Sequence, residues 1–165
     1  MNSATLSALS SFPDALERVL GEVPETSLRW VPPSWDGIPS EQFTVLEQVC
    51  HVRDIEIDGY HVRIRRMVEE TDPVLADIES YELAAERQYA DADPREALAA
   101  FRAARLQTVK IIAGLTDAQL ARTGSFGGYG SLTLKGLIHF LCSHDQQHLA
   151  GLQWLLGKMS APPSS

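Results

Sequence analysis

Cysteine, strand-forming runs, long apolar runs and positive charge are all scarce in this chain. Cys50 and Cys142 are the only cysteines in 165 residues. That is too few for a disulfide framework, so both are expected as buried thiols in a reducing compartment. No apolar run approaches the ~20 residues that a membrane span requires. The first residues carry neither the basic region nor the apolar stretch of a signal peptide, which makes a cytoplasmic location the expectation. The 14 Lys+Arg against 22 Asp+Glu give a formal charge of −8. A chain this acidic repels a phosphate backbone, and its one basic cluster, Arg63, Arg65 and Arg66, is too short to reverse that. Neither nucleic acid nor a membrane is expected as a partner.

What the chain does have is apolar residues at helical spacing, with 44% of positions hydrophobic. At this length one domain can bury roughly 70% of the surface of its unfolded chain. It is expected over residues 1–159, with 160–165 a disordered tail. Ser11, Pro13 and Asp14 open a first helix, which Leu6 and Leu9 extend backwards in one reading. Prolines 24, 32, 33 and 39 mark an irregular connection in which Trp30 and Trp35 cover the core. Thr44 and Glu47 form a capping box for a second helix reaching about Glu70. After a polar stretch with a short helix near Ser80 to Gln88, Asp93, Pro94 and Glu96 start a third helix that ends at Gly114. Gly124 to Ser131 lacks the strand and Lys-Ser/Thr ending of a phosphate loop and reads as a plain turn. The last helix starts at Ser131 or Thr133 and runs to Met159. Four amphipathic helices with two long connections predict an all-α four-helix bundle.

The apolar stripe of the last helix, Leu134, Leu137, Ile138, Leu141, Leu152 and Leu155, is interrupted by His144 and His148 on the same face. Four residues leave two helical side chains roughly 40° apart around the axis and about 6 Å apart along it. Two core imidazoles one turn apart are spaced to close on a single metal ion. His144-Asp-Gln-Gln-His148 resembles the His-Glu-x-x-His of zinc proteases, with Asp145 in place of the base. No His, Asp, Glu or Cys follows His148 to supply a downstream ligand. A third ligand must come from upstream, and His51, which interrupts the core side of the second helix, is the best candidate. His61 is about 15 Å further along that helix and His139 about 140° around from His144, so packing or surface roles suit both. Cys50 and Cys142 read as small buried hydrophobes rather than thiolate ligands.

Together, His51-Val-Arg-Asp54-Ile-Glu56, the run from Thr133 through His144 and His148 to Leu149, and the stretch from Tyr89 to Leu120 resemble the DinB-like superfamily of four-helix metalloproteins. The resemblance implies an up-up-down-down bundle, a homodimer, and a divalent zinc, nickel or iron ion held by three histidines. On this sequence those histidines are His51, His144 and His148. Similar proteins include thiol transferases and a maleylpyruvate isomerase that use low-molecular-weight thiols.

The leading expectation is a metal-dependent transferase or hydrolase acting on a small molecule, with a low-molecular-weight thiol as a candidate substrate. Asp54, one turn after His51, is the candidate catalytic residue, orienting an imidazole or a nucleophile; an ordinary solvated carboxylate is the alternative. Glu56 is about 140° from His51 and suits a salt bridge with an arginine. Tyr60, Tyr81 and Tyr89 are candidates for the substrate side or for the core. Two other classes stay open: a non-catalytic, stress-related metal-binding bundle, and a helical interaction module without metal.

Overall fold

The computed structural model describes residues 3–161. Its helices are α1 (Ser3–Glu22), α2 (Val45–Asp54), α3 (His61–Glu69), α4 (Ser80–Glu86), α5 (Pro94–Ala113), α6 (Asp117–Leu120) and α7 (Leu134–Met159). A π-helical turn, Ile55–Tyr60, joins α2 to α3, so the two form one long rod. Of the tail expected at 160–165, Ser160 and Ala161 end the last helix in a turn and a bend, and 162–165 lie outside the described residues.

The caps read from the sequence are in place. Thr44 and Glu47 satisfy each other's backbone donors at the start of α2. Asp93 accepts from the amides of Arg95 and Glu96 with Pro94 at the first helical position, and Thr133 caps α7 through the Gly136 amide. The first helix follows the reading in which Leu6 and Leu9 extend it backwards, so Pro13 lies inside it rather than at its start. Proline has no amide hydrogen to give the carbonyl four residues back. That carbonyl, Leu9 O, instead accepts from Arg105 Nη1 at 3.3 Å.

Four rods form the bundle: α1, α2 with α3, α5, and α7. Arg105 meets Leu9 while Arg102 meets Asp14, so α1 and α5 are antiparallel. Gln48 meets His148 and His51 meets His144, so α2 and α7 are antiparallel too. Arg53 lies over Tyr89, just ahead of α5, and His61 reaches Thr108, so α2 and α5 run parallel. Around the bundle the order α7, α1, α5, α2 therefore runs up, up, down, down. Along the chain the same helices read up, down, down, up, because the connection between α3 and α5 returns along the length of the bundle and sets α5 parallel to α2.

Two apolar clusters fill the interior. One gathers Phe12, Leu16, Val49, Phe101, Leu152 and Leu155, and the other Leu9, Ile64, Met67, Ile112, Leu137 and Leu141. A buried polar layer holding His51, Glu56, Arg105, Thr108, Asp145 and His148 lies between them. Trp35 stacks on Trp154 with ring centres 6.4 Å apart, and Trp30 also packs on the first cluster.

The glycine-rich segment is more than the plain turn expected. It is a hairpin of β2 (Thr123–Phe126) and β3 (Gly130–Thr133), with β1 (Val74–Leu75) added parallel to β2. Gly124 has to be glycine, since a Cβ there would lie 2.5 Å from Met67 Sδ and 2.9 Å from Pro73 O. Gly128 and Gly130 adopt φ of 75° and 71°, a left-handed region that side chains disfavour. Strands of two to four residues are too short for an alternating pattern to show in the sequence.

Candidate metal centre

The antiparallel pairing of α2 and α7 brings His51, His144 and His148 together, with one ring nitrogen from each lying within 4.8 Å of the others. Nε2 of His144 is 3.3 Å from Nε2 of His51 and 3.1 Å from Nε2 of His148. The His148 Nδ1–H donates to Gln48 Oε1, which leaves the Nε2 lone pair facing the other two rings. Burial pushes the imidazole pKa values down, His51 to about 4, partly offset by Asp54, and His144 to about 3 with help from the His51, Arg105 and Arg63 charges. His148 falls well below its ordinary value for the same first reason. All three rings are therefore neutral at pH 7, with lone pairs available to a cation.

A fourth group stands beside them. Glu41, in the loop before α2, places Oε2 3.4 Å from His148 Nε2 and Oε1 3.7 Å from His51 Nε2. Among the described residues, Glu41 Oε2 and His51 Nδ1 are buried without a hydrogen-bond partner. Burial raises the Glu41 carboxyl pKa, its own backbone amide opposes this, and the Asp77 charge adds to it. Three neutral imidazole nitrogens facing one another beside an orphaned carboxylate oxygen make a donor set that suits a divalent cation.

The loop reaches the histidines because Gln48 and Gly151 admit it. Gln48, fully buried, donates from its amide nitrogen to Ser40 Oγ at 2.7 Å, Glu41 O at 3.1 Å and Phe43 O at 3.4 Å. A Cβ at position 151 would collide with Ser40 Oγ.

Other residues singled out in the sequence lie elsewhere. Asp145 turns away from its neighbour His144 and binds Arg105 with both oxygens, at 2.5 and 2.8 Å, so the protease-like reading has no base at the histidines. Burial lifts the Asp145 carboxyl pKa to about 7 even though Arg105 opposes the rise. Glu56 meets Arg105 at 2.9 Å through each oxygen, which is the arginine pairing expected of it, here fully buried. Thr108 Oγ1 donates to Glu56, and His61 Nε2 lies 2.8 Å from the same hydroxyl, on the α5 side. His139 is exposed. The Asp54 carboxylate is held by Arg53 at 2.6 Å and Arg87 at 3.0 Å, and it does not line the cavity above the histidines. Burial pushes both thiols up to about 11, and neither cysteine lines that cavity.

Residues 8–152 match the sequence profile of the DinB superfamily. The chain belongs to that superfamily. YfiT from Bacillus subtilis, whose solved structure is described as a probable metal-dependent hydrolase with an unusual four-helix bundle topology, is 20% identical and has a TM-score of 0.83. The likeness covers 98% of this chain and 91% of that one, and at such an identity it shows the fold. No curated protein matches the chain.

In this DinB-superfamily chain the histidines open into a cavity of about 250 Å³. His51, His144 and Glu41 lie on one part of its wall, and Tyr60, Arg63, Phe126, Tyr129 and Phe140 on the rest. Tyr60 alone of the three candidate tyrosines lines it. Tyr89 is buried near Asp54, and the Tyr81 hydroxyl accepts from the Gln42 amide at 3.1 Å. Sequence reasoning missed Glu41, Gln48 and Arg63. Gln48 carried a signal, being a polar residue three before His51 on the same core-facing stripe. Glu41 carried none, since a loop has no periodicity to read.

Proposed function

We propose that this protein is a metal-dependent enzyme, a transferase or hydrolase of small molecules, in which His51, His144 and His148 hold a divalent zinc, nickel or iron ion. The observation that carries this reading is the convergence of three neutral imidazole nitrogens, two of them on rings, His51 and His144, that line a cavity. Membership of the DinB superfamily and the likeness to YfiT support it. A bound dication would supply Lewis acidity and bring a small nucleophile's pKa toward neutrality. Gln48 orients the His148 ring, and Glu41 Oε2, buried without a partner, is placed to take the nucleophile's proton. With Cys50 and Cys142 protonated and off the cavity wall, thiol chemistry here would use a low-molecular-weight thiol from solution. Asp54 acts in this reading at a distance, through its charge on His51. A cytoplasmic homodimer without nucleic-acid or membrane partners belongs to the same proposal. The charge of −8 speaks against a nucleic-acid partner, and among the described residues no helix is long and apolar enough to cross a membrane.

Glu41 also favours a second reading. Its carboxylate would complete four protein donors around an ion and leave no open position, as in a non-catalytic, stress-related metal-binding bundle.

The test is elemental analysis of protein prepared without a histidine tag, followed by hydrolysis and thiol-transfer assays before and after metal stripping. Stoichiometric metal and metal-dependent turnover are expected. Absence of bound metal after incubation with zinc, nickel and iron would overturn both readings, and full metal occupancy with no exchangeable coordination site would leave only the second.

A further inference from the structure

Among the described residues Arg63 is the one cation on the cavity wall, and no buried carboxylate pairs with it. The residue is 4% exposed. Nε and Nη2 donate to the neutral carbonyl of Ala76 at 3.1 and 3.0 Å. The only carboxylate near it among the described residues is Asp77, 3.5 Å from Nη2 and with its side chain 70% exposed to water. Nη1 has no hydrogen-bond partner among the described residues. The guanidinium is held in place by rings, 4.3 Å from the centre of Phe126 and 5.4 Å from that of Tyr60. It also depends on a glycine, because a Cβ at position 59 would lie 3.0 Å from Nη1.

Removing a guanidinium from water without a full counter-charge is unfavourable unless a ligand supplies one. The carboxylates on this wall are Glu41, which lies beside the histidines, and the largely exposed Asp77, so neither gives Arg63 a buried counter-charge. The nearby walls, Tyr60, Phe126, Tyr129 and Phe140, are aromatic. We infer that the cavity takes a small organic carboxylate with a flat apolar body, its carboxylate on Arg63 Nη1 and its reactive end toward the histidines. The planar donor fork of arginine suits a carboxylate oxygen, and such charge-assisted bonds are about twice as strong as neutral ones. This inference rests on the reading of the cavity as the substrate site, and it names the class of substrate.

The test is calorimetric titration of benzoate and of its neutral analogue benzamide into zinc-loaded and metal-stripped protein. With zinc, benzoate is expected to bind on the order of tenfold tighter than benzamide. Arg63→Met should abolish that preference while benzamide binding and zinc content stay unchanged. Gly59→Ala, which crowds Nη1 but keeps the charge, should weaken benzoate alone, and it serves as the test should Arg63→Met not fold. Equal binding of the two compounds by the parent protein, no binding of benzoate, or an undiminished preference in both variants would overturn the inference. A preference that depends on Arg63 in protein that retains no zinc would overturn the metal reading and leave this one standing. Zinc retention with a preference independent of Arg63 would do the reverse.

Discussion

Gln48 and His148 are joined across the bundle by a hydrogen bond from the imidazole Nδ1–H to the amide oxygen, and the same amide's nitrogen holds the loop that carries Glu41. One side chain thus fixes a ring's tautomer and the position of the neighbouring carboxylate. Gln48→Leu keeps the volume and removes both functions. Metal affinity is expected to fall about 10- to 100-fold, read by competition with a chromophoric zinc chelator. Unchanged affinity would show that the ring needs no orienting partner.

Metal content separates the histidines by place. His148→Ala should lose most of the bound metal, because His148 is fully buried with Nε2 on the other two rings. The exposed His139, replaced by alanine, should keep it. Equal metal content in the two variants would overturn the assignment of ligands.

Gly151→Ala tests the loop from the other side. The added methyl group collides with Ser40 and comes within 3.4 Å of Gln48 Nε2. The loop with Glu41 should shift away from the histidines, lowering metal affinity by about tenfold with little loss of helical circular dichroism. Parent-like affinity would mean that the loop position does not matter to the ion.

Asp54 gives a pH-dependent expectation. Burial alone would raise its carboxyl pKa, but the hydrogen bonds from Arg53, the nearby Tyr89 hydroxyl and the charges of Arg53 and Arg87 hold it below the usual carboxylate range. A folded-state pKa below the unfolded one stabilises the fold above the unfolded value, and this is lost as pH falls through the folded value. Asp54→Asn should therefore cost about 1–2 kcal/mol near pH 7. The gap to the parent should close on acidification below pH ~4. A gap that persists at low pH would point to packing instead of charge.

Arg105→Met removes the cation shared by Glu56 and Asp145, leaving two buried carboxylates without it. Breaking a buried pair in this way costs about 3–5 kcal/mol, measurable by urea unfolding. Adding Asp145→Asn should recover part of the loss, and a further loss in the double variant would contradict the pairing.

Much of the framework was legible because capping and helical periodicity are local. Thr44, Asp93 and Thr133 announce their helices through hydrogen bonds made within three residues. The spacing of His144 and His148 is likewise local, so a shared site could be read from it. Pro13 left the start of α1 open between two readings, because the contact that serves the carbonyl it leaves free comes from Arg105, 96 positions from Leu9. Arg63 could be read only as part of a basic cluster, since what isolates its charge is the hairpin that brings Phe126 over it. Glu41 owes its place to Gln48 and Gly151 together, one close by and the other more than a hundred positions away.

His51 and His144 are 93 positions apart in the chain and meet only once α2 and α7 have docked. An unfolded chain offers no comparable set of donors, so a cation that fits there binds the folded state alone. Folding equilibrium and metal supply are then linked, and free ion at a hundred times its dissociation constant would deepen the folded basin by about 2.7 kcal/mol. The melting temperature of this bundle would accordingly report the free metal concentration around it.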